Sequence, residues 1–230
     1  MSGHSHWATI RRKKGAQDAK RGAVFTRLAL AIEKARAGNM PKENIERAIH
    51  RGTGEDKEGG SLEEITYEGY GPHGVAIMID CVTDNRNRAV AEVRHALTHA
   101  GGTMAEAGAV GWQFHRASYF YVPSNELSYD KAFELAVEAG ADDVFEDGDM
   151  IEILGPVEAF KSISDRLQSA NAQPEEAGLR LIAKQEMELR TEQTLQVMRV
   201  IETLEDLDDV QNVYHNLKLS AEAMAALEAE

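Results

Sequence analysis

Val144-Phe145-Glu146-Asp147-Gly148-Asp149-Met150-Ile151-Glu152-Ile153-Leu154 sets the architecture of this chain. Its apolar arms read as short strands, and the Asp-Gly pair between them reads as a tight hairpin turn. Upstream, Ser128 caps a helix with Ala132, Phe133, Ala136 and Val137 at helical spacing, and Gly140 closes it. Before that helix, Ser118–Val122 reads as a strand. Downstream, Pro156 opens a helix running to Ala170, and Leu179–Ala183 is extended again. Residues 118–183 thus spell β-α-β-β-α-β, the ferredoxin-like order.

The flanks predict a second unit of the same kind. Val75–Val82 (VAIMIDCV) is almost continuously apolar and reads as a central strand. Asp84 is the expected cap of a helix over 85–100, which Gly101-Gly102 ends, and 110–114 is expected to return as a strand. Beyond residue 183 come a strand over Gln185–Leu189, a helix over Thr191–Leu204 and a strand over Val210–Asn216. Glu64–Tyr70 alternates only weakly, and Ser220 caps a short alanine-rich helix.

At the other end of the chain, Ala16–Arg36 and a segment opening at Pro41 both read as helical. The stretch from Gly52 to Gly60, glycine-rich and charged without periodicity, is a linker. The expected fold is α+β with three domains. A basic helical domain with its linker takes 1–60. A discontinuous ferredoxin-like domain takes 61–117 and 184–230, and a second ferredoxin-like domain is inserted at 118–183.

Charge separates the first of these from the rest. Residues 1–51 hold twelve Lys/Arg and four acids, whereas the remainder holds 13 basic and 35 acidic residues. A net of +8 is thus joined to a net of −22, within an overall charge of −14. A basic end on an acidic body is the footprint of a protein that sets one domain against phosphate. Arg11-Arg12-Lys13-Lys14, with Lys20-Arg21 two helical turns on and Arg27 beyond, places several cations where each phosphate contact would release counterions. Trp7, beside His4 and His6, reads equally as a base-stacking ring or as a core anchor.

MSGHSHWATIRRKKGAQDAKRGAVFTRL at the N-terminus resembles the opening of the YebC/PmpR family, whose relatives include a mitochondrial translational activator. The resemblance continues through Asn39–Ile49, Tyr67–Ala76 and Asp84-Asn85-Arg86-Asn87-Arg88, four motifs in order over most of the chain. It implies a three-domain protein of gene expression. The family is labelled a DNA-binding transcriptional regulator and is also linked to the relief of ribosomes stalled on proline-rich stretches. Two departures stand out. His6 occupies a place usually held by Lys. About twenty residues that the family carries between Phe25-Thr26-Arg27-Leu28 and Ala31-Ile32-Glu33-Lys34 are not present; they are deleted in this protein or lost from the sequence in hand, and the second is the expectation.

The remaining motifs also admit plainer readings. Tyr70-Gly71-Pro72-His73-Gly74 lacks the Lys-Ser/Thr of a phosphate loop. It is a turn between strands or, as the resemblance favours, an exposed tip. Arg86 and Arg88 stand in the first turn of a helix, where the macrodipole disfavours cations, so an anionic partner is expected to offset them. With Tyr70, Gly71, Pro72 and His73 they form a possible second contact surface, provided both loops lie at one end of the domain. His4/His6 and His95/His99 lack further ligands, so no metal is expected. Trp112, Phe114, Tyr119 and Tyr121 read as core or interface aromatics. The acids from Asp142 to Glu152 read as one solvated face, and Cys81 as a buried thiol.

No nucleophile–base pair, metal set or phosphate loop emerges, so neither catalysis nor a cofactor is expected. A single cysteine, no apolar run near the ~18 residues of a membrane span and no signal segment point to a cytoplasmic protein that does not bind membranes. The expected partner is nucleic acid, ribosomal RNA ahead of duplex DNA, met by a monomer because no dimerising heptad matches a palindromic operator. A protein-protein adaptor is the third reading and leaves the basic end unexplained.

Overall fold

The computed structural model describes residues 63–229, so the expected basic domain and linker lie outside the described residues. The described part is a mixed α/β fold with two antiparallel four-stranded sheets. The first has the order β3-β1-β2-β9, from β1 (Glu63–Tyr70), β2 (Ala76–Thr83), β3 (Thr103–Ala105) and β9 (Val210–His215). Helices α1 (Arg86–His99) and α4 (Thr191–Glu205) pack against it, with α5 (Ala221–Ala229) alongside α4. The second has the order β5-β6-β4-β7, from β4 (Phe114–Pro123), β5 (Asp143–Asp147), β6 (Met150–Pro156) and β7 (Glu176–Ala183). It is backed by α2 (Tyr129–Ala139) and α3 (Phe160–Ser169).

The continuous apolar run of β2 has a direct cause. Ile77, Ile79 and Cys81 point into the core made with Val93 and Leu97 of α1 and Val197, Met198, Ile201 and Leu204 of α4. Ala76 and Met78, on the opposite face, meet Val110, Phe114, Leu181 and Ala183, which joins the two sheets. A strand covered on both faces has no reason to alternate. In the second sheet, Phe120, Val122, Ile151 and Ile153 pack beneath α2 and α3. The hairpin is closed by a two-residue loop, Gly148-Asp149, between paired Asp147 and Met150. Gly148 has φ +63° and Asp149 is not left-handed, which fits a type II′ turn with glycine in its first central position.

Three expectations for the first sheet are corrected. Residues 110–114 do not form a strand: Gly111–Gln113 is a 3-10 turn, and Phe114 already begins β4. The cause is Glu68, whose carboxylate accepts the N–H groups of Gly108, Val110 and Gly111 at 2.7, 2.6 and 2.8 Å. Those donors are therefore lost to any ladder. Gln185–Leu189 contributes only β8 (Met187–Glu188), paired in parallel with β10 (Leu217–Lys218) outside the main sheet. The weakly alternating β1 takes a central place instead, so this sheet is built β-β-α-β and then α-β. Finally, Asn85 rather than Asp84 caps α1, its side chain accepting the N–H of Arg88 at 3.1 Å.

Candidate nucleic-acid interface

The basic candidates Arg11, Arg12, Lys13, Lys14, Lys20, Arg21 and Arg27, with His4 and Trp7, lie outside the described residues. The second group lies within them, at the two ends of the β1–β2 hairpin. At one end, Gly71 N–H donates to the Val75 carbonyl at 2.8 Å and Gly74 N–H to the Gly71 carbonyl at 3.2 Å. The chain reverses through two left-handed residues, His73 (φ +63°) and Gly74 (φ +81°).

This turn is packed rather than projecting. Gly71 and Pro72 are buried, and the Tyr70 hydroxyl donates to the Ala109 carbonyl at 3.2 Å. Gly102 sits so close beneath that a Cβ there would lie 2.5 Å from the Tyr70 carbonyl oxygen. Only His73 and Gly74 face solvent within the motif. His73 is held by α4: its ring lies 2.9 Å from Gln196 Oε1 through Nε2 and 3.3 Å from Gln193 Nε2 through Nδ1. Those two contacts fit a neutral ring with its proton on Nε2. The exposed tip expected at Tyr70 and Pro72 is thus reduced to His73.

At the other end, Arg86 and Arg88 open α1. The eight residues of β2 separate them from the turn, a span of about 25 Å. The two loops therefore do not share one end of the sheet, and the structure does not bring the six residues into one surface. Nor does Arg88 await an external anion. Its guanidinium donates to Asp209 at 2.9–3.2 Å and to Asp84 at 2.9 Å, and Asp209, nearly buried, also accepts the Thr83 hydroxyl at 2.9 Å. Asp209 and Asp84 hold the Arg88 charge above its already high ordinary range. Arg86 is exposed, and no described carboxylate pairs with it.

Between the sheets lies a cleft of about 410 Å³, lined by Glu68, Asp80, Arg116, Arg180, Asn212 and Tyr214 among others. Most of its charges are committed. Asp80 accepts the Thr66 hydroxyl at 2.7 Å. Burial works against the Glu68 carboxylate, but its three backbone donors outweigh it and hold its pKa below the ordinary value. Burial, followed by Asp80, pushes the Tyr214 phenol up to about 12.

Arg180 bonds to Glu152, which has no exposed surface, and donates to the Tyr121 hydroxyl at 2.8 Å. Its guanidinium lies 5.1 Å from the Tyr119 ring centre, a cation–π placement. Glu152 therefore does not belong to the solvated acidic face expected of it. Burial opposes the Arg180 charge, and Glu152 with Tyr121 outweighs that and raises its pKa.

The aromatic group also divides. Phe114 and Tyr121 are buried and Tyr119 is half-buried, but Trp112 is 68% exposed. Its indole N–H donates to the Ala109 carbonyl at 3.0 Å, and Lys184 Nζ donates to its carbonyl at 2.7 Å, so the Glu68-bound turn displays a fixed ring. These long-range ties were missed because no local pattern records them. The local signal there is the pair Gly108 and Gly111, which marks a turn. Among the described residues no three His, Cys, Asp or Glu side chains converge as metal ligands. No described helix is long and apolar enough to cross a membrane.

The fold and its surfaces define a mixed α/β protein with two joined antiparallel sheets and an acidic body. The chain belongs to the TACO1/YebC family: the model of the family's second and third domain matches residues 62–217, and that of its N-terminal domain matches 26–55. It is 46% identical to a probable transcriptional regulatory protein of Geobacter sulfurreducens, covering 99% of this chain and 100% of that one. It is 43% identical to a protein of the same description from Chlorobaculum tepidum, over 100% of both chains. The Geobacter alignment spans 248 positions, more than the 230 residues here, so that relative carries positions this chain lacks. The crystal structure of a conserved hypothetical protein from Aquifex aeolicus matches with a TM-score of 0.72 at 35% identity, covering 88% of this chain and 92% of that one.

Proposed function

We propose that this protein is a non-catalytic, nucleic-acid-binding regulator of gene expression that works as a monomer in the cytoplasm. In this reading a three-domain chain places residues 1–60 against ribosomal RNA, and the two α/β units, ferredoxin-like in kind, form the body. The observation that carries it is the charge split, +8 over residues 1–51 against −22 over the rest. Such a molecule docks one way round, because the acidic body is repelled by the phosphate that attracts the basic end. Arg11, Arg12, Lys13, Lys14, Lys20, Arg21 and Arg27 supply phosphate contacts, and His4 and Trp7 border them. Of the second group, Arg86 is exposed with no described carboxylate paired to it, whereas the exposed His73 ring has both nitrogens engaged by Gln193 and Gln196 and could offer a partner only its face. Resemblance to a translational activator extends the proposal to elongation through proline-rich stretches.

A transcriptional role on duplex DNA is the second reading, favoured by the description that the relatives carry. Ribosome cosedimentation beside a duplex-DNA binding assay, both at physiological salt, separates the two. The first reading expects the protein to pellet with ribosomes and to lose DNA as salt rises. A stable dimer protecting a two-fold symmetric DNA site would reverse the order.

A further inference from the structure

Helix α2 is amphipathic the wrong way round. Its fully buried residues are small (Ala132, Ala136 and Ala139), and of its four bulky apolar residues only Leu135 packs against the core, while the other three point out. Tyr129, Phe133 and Val137, spaced i, i+4 and i+8 along one stripe, are 36%, 48% and 59% exposed. The Tyr129 and Phe133 rings stack with centres 6.2 Å apart, so the stripe is ordered in advance. The Tyr129 hydroxyl donates to the Val144 carbonyl at 3.4 Å and ties the stripe to β5, an edge strand of its sheet. A helix that exposes three of its four large apolar side chains and buries its alanines carries a surface awaiting cover.

Charge identifies the cover. Glu134 and Glu138 are matched by Lys131 and Arg166 at 2.6 and 3.1 Å. Asp130, Asp142 and Glu146, all exposed around the stripe and along β5, have no cation among the described residues. A nucleic acid would bring phosphate against these carboxylates. A second copy meeting the same patch about a two-fold axis would bring the same carboxylates. The stripe covers only a few hundred Å², well short of the ~800 Å² per partner of a standard stable interface.

We infer that the outer face of α2, with the acidic edge β5, docks a lysine- or arginine-rich protein segment that carries apolar anchors at helical spacing. The anchors lie on Tyr129, Phe133 and Val137, and the flanking cations meet Asp130, Asp142 and Glu146. This mode is helix-on-surface recognition with electrostatic guidance, and it does not depend on what the basic end binds.

The test is fluorescence anisotropy on the full chain. One labelled probe is a short helical peptide of lysine with leucine at every third or fourth position; its counterpart has glutamate for lysine. The lysine peptide should bind saturably and the glutamate peptide should not. Phe133→Ser/Val137→Ser, both at exposed sites, should weaken binding about tenfold, as loss of a central anchor pair does. Asp142→Lys/Glu146→Lys should weaken it too, while Glu202→Lys/Asp208→Lys, on exposed acids of α4 and the turn after it, should not. No binding, or equal binding by Phe133→Ser/Val137→Ser, would overturn the inference, the latter by showing mere attraction to an acidic protein. Self-association of the chain abolished by Phe133→Ser would overturn it in favour of a second copy.

Discussion

Replacing Arg180 with Met tests the buried network beside the cleft. Glu152 has no exposed surface, and its cation is Arg180, whose side chain is itself 11% exposed. Met fills much of the space of the arginine stem but leaves a carboxylate in the interior and the Tyr121 hydroxyl without its donor. Breaking a buried pair from one side costs about 3–5 kcal/mol, because the remaining charge keeps its desolvation penalty. At about 2–4 °C per kcal/mol for a chain of this size, melting should fall by roughly 6–20 °C. Arg180→Met/Glu152→Leu removes both charges and should return to within about 1 kcal/mol of the parent. Urea unfolding followed by circular dichroism gives both values. A single variant costing less than about 1 kcal/mol, or a double variant as damaged as the single, would refute the reasoning.

Three other outcomes are expected. Arg88→Ala should lower the melting temperature, because Asp209 loses its cation, whereas Arg86→Ala should leave it unchanged; equal effects would show that the Asp209 pair is not what holds α1 in place. Glu68 has a folded pKa below its ordinary 4.5, so the stability it adds is complete above that value and drains away as pH falls through the folded one. Acid titration of melting should therefore be steeper in the parent than in Glu68→Gln, and parallel curves would remove Glu68 from the account. Burial, then Asp209 and Asp80, pushes the Cys81 thiol up to about 11, so iodoacetamide at pH 8 should label it only after unfolding; rapid native labelling would contradict its placement in the core.

How much of this was legible in the sequence depended on the range of the cause. Gly140 in the left-handed conformation, the Gly148-Asp149 loop and the double-faced burial of β2 are local, and local patterns announce them. The course of 110–114 was not legible, since a carboxylate some forty residues earlier captures its N–H groups. The Arg88–Asp209 pair spans 121 positions, so a first-turn arginine read locally as a call for an anion when the anion was already in the chain. Each half of the second contact surface was visible as a motif. Their separation was legible as well, since the strand read over Val75–Val82 stands between them, and the eight residues of β2 (Ala76–Thr83) put the two motifs at opposite ends. The reversed polarity of α2 was present in its spelling, but periodicity alone does not say which stripe faces inward.

The most direct test of the central claim reverses the basic end. Lys13, Lys14, Lys20 and Arg21 are changed together to Glu, and binding to ribosomal RNA is measured against salt. Binding should be lost while melting of the α/β body stays at the parent value, and the parent should show a steep fall of affinity with salt. Retained affinity with an unchanged salt slope would contradict that claim.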